Sequence, residues 1–133
     1  MPADFQFVQR QLLVVITWPA IEPNIHLTRA TVEALLADPR LKPGYAVVSD
    51  WRQETAPPPS DYIYQFIDLL RTADRRGITR WATVIPATSL AAYGVGRIGE
   101  AHADINHLLY RVFRDYDDAV RWARGDDPLN GQR

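Results

Sequence analysis

The 133-residue chain contains no cysteine. Disulfides, thiolate metal sites and a cysteine nucleophile are therefore excluded. A charge excess is also missing: 15 Lys+Arg against 16 Asp+Glu give a formal net charge of −1. Without a basic surplus to neutralise a phosphate backbone, a nucleic-acid partner is disfavoured. No stretch approaches the roughly 18–20 uninterrupted apolar residues needed to span a bilayer. The most apolar run, Leu12 to Trp18, is only strand-sized. Met1-Pro2-Ala3-Asp4-Phe5 carries neither the basic flank nor the long apolar segment of a signal peptide, so the expected location is cytoplasmic.

What the chain does have is a globular composition, with 47% hydrophobic and 23% charged residues. Its length suits one compact domain, expected over residues 1–125, with 126–133 as a polar C-terminal tail. Phe5 and Phe7 alternate with polar neighbours, as in an edge strand. Leu12–Trp18 is a β-branched run of the kind buried on both faces, and Tyr45–Trp51, Arg80–Ile85 and His107–Phe113 read as further strands. Between them the period changes to that of a helix. Leu27, Ala30, Thr31, Ala34 and Leu35 share one helical face that Asp38-Pro39 ends, and Ile63, Phe66, Ile67 and Leu70 repeat the spacing. Ser60 is placed to cap that second helix, and Gly77 to provide its left-handed exit. Thr88 or Ser89 opens a third helix running to about Ala103, and Asp115 caps a last one that Gly125 closes. The order β-β-α-β-α-β-α-β-α predicts an α/β fold: a mixed, mainly parallel sheet of four to five strands, its first pair antiparallel, with about four helices covering both faces.

Several stretches resemble a known family. Leu36-Ala37-Asp38-Pro39 leading into Val47-Val48-Ser49-Asp50, the helix Tyr93-Gly94-Val95-Gly96-Arg97-Ile98, and Arg111-Val112-Phe113 followed by Ala119-Val120-Arg121-Trp122 are similar to STAS domains. The resemblance is specifically to the SpoIIAA-like group of small stand-alone bacterial proteins. The resemblance runs from about Gln11 to Arg124. It implies a STAS-like fold without catalysis of its own and without a cofactor, working as a regulatory module or as a binder of a partner protein or of a small ligand, lipid-like or anionic. It also implies a phosphosite at the start of the helix after the second core strand, where Ser60 stands. The antagonists of anti-sigma factors carry Asp-Ser-Ser-Gly there, whereas this chain reads Pro59-Ser60-Asp61-Tyr62.

Open α/β sheets bind ligands beyond the carboxyl ends of their strands. Asp50, Trp51, Ser60 and Ser89 are expected at that rim, with Tyr93, Trp18 and Arg97 within reach, and Trp18 and Trp51 are candidates for an exposed apolar cluster. Trp81 and Trp122 read as core. Gly94-Val95-Gly96-Arg97-Ile98-Gly99 matches the dinucleotide string G-x-G-x-x-G, but it follows the preceding strand too late to form the required turn. Ala92, Gly96, Gly99 and Ala103 make a stripe without bulk, which reads as tight internal packing, a groove wall or a homodimer face. A small hydrolase using Ser60, His102 and Asp50 is the competing class. No metal site is expected, because His102 and His107 straddle a helix end around Asp104. The acids Asp115, Asp117 and Asp118 suit the positive end of a helix without calcium.

Overall fold

The computed structural model describes residues 3–126, so all of the expected tail beyond Asp126 lies outside the described residues. Strands β1 (Asp4–Val8), β2 (Leu13–Thr17), β3 (Ala46–Asp50), β4 (Trp81–Val84) and β5 (Tyr110–Phe113) form one sheet in sequential order. β1 pairs antiparallel with β2, and β2 to β5 run parallel. The antiparallel pair follows from the short link: a 3-10 turn, Gln9–Gln11, ends at Leu12 with φ 52°. That is too little chain for a helical crossover.

Helices α1 (Ile25–Ala37), α2 (Tyr62–Arg75) and α3 (Leu90–Ile105) fill the three crossovers, and α4 (Tyr116–Ala123) ends the described chain. Right-handed crossovers that always step the same way along a sheet place their helices on one face. Accordingly α1 packs on α2 and α2 on α3, while α4 lies on the opposite face against β3, β4 and β5. Both faces are covered as expected, but unequally. Strand side chains alternate between the two layers. Val14, Ile16, Val47, Trp81 and Tyr110 join the core beneath α1 and α2, and Leu13, Ala46, Val48, Ala82 and Val84 join Ala119 and Trp122 beneath α4. Full burial of an aliphatic side chain such as Val47 or Ile67 contributes about 1.5–3 kcal/mol.

Local signals set the helix ends. Asn24 caps α1 by accepting from the amides of His26 and Leu27. Ser89 caps α3 through the Ala92 amide, and Asp115 caps α4 through the Asp118 amide, with Asp117 and Asp118 in its first turn. Ser60 does not cap α2: Asp61 holds that position, and its side chain accepts no capping hydrogen bond. α1 starts two residues before Leu27, because the Asn24 cap decides its first turn and the apolar stripe does not. The last strand is shorter than His107–Phe113, because His107 adopts φ 60° and Leu109 stays exposed. Gly77 exits α2 at φ 97°, where an added Cβ would lie 2.6 Å from the Pro43 Cα.

Candidate functional site

At the carboxyl ends of β3, β4 and β5 the helices part. Between α2 and α3 lies an open cleft with a cavity of about 40 Å³. Its walls are the apolar parts of Trp51, Ile63, Phe66, Ile85, Val95, Tyr110 and Val112. The small residues Ala92 and Gly96 keep the α3 side open. At the mouth, the loop carrying Glu54 and Pro58 meets Pro23, and the Thr55 amide donates to the Ile21 carbonyl at 3.1 Å, tying the two loops together.

The polar groups of the cleft are few and mostly organised. Thr28 Oγ1 and the Tyr62 hydroxyl hydrogen-bond at 2.9 Å. Trp18 Nε1 donates to Ser49 Oγ at 2.8 Å, and its ring stacks on Trp51 with centroids 4.3 Å and planes 7° apart. Burial pushes the Tyr110 phenol up to about 12, with Thr83 beside it pulling slightly the other way. Burial likewise raises the Tyr62 phenol, so both rings are neutral across the physiological range. Glu54 differs. Half-buried at the mouth, it is pushed from 4.5 up to about 7 by desolvation alone, with no cation or hydrogen-bond donor pulling it back.

The expected rim residues are distributed over four places. Trp51 lines the cleft. Trp18 supports it from behind, and at 1% and 5% exposure Trp18 and Trp51 form no exposed cluster: their rings face one another and the core. Asp50 follows Ser49 by one residue and so faces the α4 layer. There it accepts from Arg52 Nη2 at 2.8 Å and Nε at 3.0 Å, and the Arg52 guanidinium lies 4.6 Å over the Tyr116 ring. Ser60 is exposed in the turn before α2. Ser89 is occupied as a cap. Tyr93 packs beside Ile85, Ala92 and Val112, with the guanidinium of Arg114 3.9 Å and that of Arg97 5.9 Å from its ring centroid, and Arg97 pairs with Glu100 at 3.0 Å.

Ser60, His102 and Asp50 do not assemble. His102 stands edge-on to Tyr64, 5.2 Å between centroids, on the helix layer, while Asp50 is bound on the other face of the sheet. The glycine string lies inside α3, not at a strand–helix turn. Its small-residue stripe faces inward: an added Cβ at Gly96 would lie 2.6 Å from Val112 Cγ2, and one at Gly99 2.7 Å from Ile63 Cδ1. That stripe packs internally and, at Ala92 and Gly96, walls the groove. No group of three or more His, Asp or Glu able to hold a metal occurs among the described residues. No described helix is long and apolar enough to cross a membrane.

Thr28, Glu54, Tyr62, Thr83 and Tyr110 were not expected at the site. Thr83 and Tyr110 lie in strand runs that read as core, and Thr28 and Tyr62 fall off the apolar helical faces, while Glu54 offered a usable signal: a single acid between a strand end and Pro57-Pro58-Pro59.

No family model matches the chain, and no curated protein matches it. Solved structures do. An uncharacterised protein of the DUF3478 family with a SpoIIAA-like fold, from Shewanella loihica PV-4, is similar over 91% of each chain, with a TM-score of 0.57 at 12% identity. The structure of SLC26A9 is similar over 90% of this chain and 21% of that one, with a TM-score of 0.57 at 19% identity. The chain thus spans about a fifth of the length of SLC26A9. The fold is STAS/SpoIIAA-like, as the sequence resemblance implied.

Proposed function

We propose that residues 1–125 form one non-catalytic binding domain that holds a small, largely apolar ligand in the cleft between α2 and α3. The observation that carries this reading is the cleft itself: an apolar lining with a few converging hydroxyls, open at the carboxyl edge of a parallel sheet. The separation of Ser60, His102 and Asp50 favours binding over hydrolysis. The fold likeness adds a regulatory role by analogy only, with a partner protein sensing the filled or empty state.

Native mass spectrometry of gently purified protein tests the reading, with Ala92→Phe as the control that fills the cleft. A retained small molecule in the wild type, absent from the variant, is the expected result. A ligand-free wild type that also shows no thermal shift with short apolar alcohols, amines or acids would end it, as would turnover of a generic ester lost on Ser60→Ala.

A second reading, a phosphoserine switch, has one observation in its favour: Ser60 is exposed and has no capping role to lose. Intact mass after co-expression with a cognate kinase decides it, because an unmodified Ser60 removes that reading.

A further inference from the structure

The cleft has a charge signature that its apolar walls conceal. Glu54 is the one acidic side chain among its lining residues, and no Lys, Arg or His stands with it. The same lining carries four aromatic rings, Trp51, Tyr62, Phe66 and Tyr110. They are held in place before any ligand arrives. Trp51 is fixed by its stack on Trp18, Tyr62 lies parallel to Phe66 at 6.1 Å, and Phe66 stands edge-on to Tyr110 at 5.6 Å.

Aromatic faces attract cations through the ring quadrupole, more strongly when water is excluded, and a carboxylate adds a charge-assisted hydrogen bond. An anion entering the same space would meet a like charge and no donor cation. We infer that the cleft selects a cationic amphiphile, an ammonium on a short apolar stem, with the ammonium at Glu54 among the aromatic rings and the stem between α2 and α3. This rests on the cleft being a binding site, and it replaces the lipid-like or anionic alternatives with one chemical class.

The lone carboxyl explains why such a ligand is needed for balance. Burial without a partner disfavours its charged form, and an ammonium supplies the missing partner. Binding should therefore weaken as Glu54 takes up its proton. The other titratable groups facing this space do not compete in that range. Tyr62 on α2 and Tyr110 on β5 have raised pKa values, and the Asp50–Arg52 pair of its own segment is satisfied on the opposite face of the sheet. Glu22 and His26, at the start of α1, and Asp61, before α2, line the neighbouring groove.

Hexylamine, hexanol and hexanoate, titrated into the full chain and followed by calorimetry, test the inference. At pH 8.5 the ammonium should bind about tenfold tighter than either other probe, and should lose about that factor by pH 5.5. Glu54→Gln should remove the pH dependence and most of the preference, leaving only what the aromatic rings supply. Glu54→Asp should retain the preference, which separates charge from packing. Hexanol or hexanoate binding as tightly as the amine, with all three lost on Ala92→Phe, would overturn the charge class and leave the cleft reading intact. A preference undiminished in Glu54→Gln would overturn it as well. If none of the probes binds, both readings fall.

Discussion

The two faces of the sheet solve the same burial problem differently. Under α4, small residues on the sheet and helix, Ala46, Ala82, Ala119 and Ala123, bring the layers close, and Trp122 occupies the space that remains. The charged groups there are paired or stacked: Asp50 with Arg52, and Arg80 over the Trp122 ring with its guanidinium donating to the Trp122 carbonyl at 2.7 Å. Under α1 to α3 the side chains are larger, yet the layer parts at one end, and the carboxyl left there has no partner. The α4 face pairs its charges, whereas the other face leaves room beside an acid without a partner, the place proposed above for a ligand.

The comparison predicts where mutation is most damaging. Trp122→Ala empties the closed face, where Phe113 lies 5.7 Å from the indole and the side chain is 4% exposed. A loss of about 3–5 kcal/mol is expected, read from the urea midpoint at unchanged m-value. A small loss would mean that the α4 layer is looser than its packing implies.

Gly96→Leu should come next. Its Cβ would start 2.6 Å from Val112, so the branch must displace β5 or α3, at about 1–3 kcal/mol. Sedimentation should show the same species for this variant and the wild type, because the stripe is internal. A change in subunit number without a change in stability would break the assignment of that stripe to packing.

Trp18→Phe keeps the ring over Trp51 but removes the donor to Ser49 Oγ. About 1–2 kcal/mol is expected from the lost bond and the buried hydroxyl left behind. The indole fluorescence remaining from Trp51 should become more sensitive to ligands in the cleft.

The contrast between faces was only half visible in the amino-acid order. The β-branched run that became β2, and the Asp115 cap of α4, stood out because each follows from local chemistry. The parity of β3 did not. All five of its residues are buried, so no polar–apolar alternation marks which side chains point to which layer. Asp50 was expected at the ligand rim; Ser49 lines the cleft, while Asp50 lines a separate pocket with Thr17, Trp18, Arg52 and Gln53, because a one-residue step reverses the face. Thr83 and Tyr110 were hidden for a related reason: in sequence they are indistinguishable from core, and only the fold shows that they line a cavity. Similarly, no spacing rule reports that the Gly96 side of α3 meets Val112.

The smallest effect is also the one that separates the two faces most cleanly. In the folded chain Glu54 keeps its proton up to about pH 7, whereas the unfolded chain releases it near 4.5. Between these values the native state binds more protons, so stability must fall as pH rises through that window and then level off. Glu54→Gln removes the penalty. It should match the wild type below about pH 4.5 and exceed it by roughly 1 kcal/mol above pH 7, a figure reduced from the full shift because the carboxyl is half in solvent. Asp50→Asn, on the closed face, should behave in the opposite sense and destabilise at neutral pH, because it strips Arg52 of its partner. If both substitutions destabilise, Glu54 has found a partner of its own, and the open face is as balanced as the closed one.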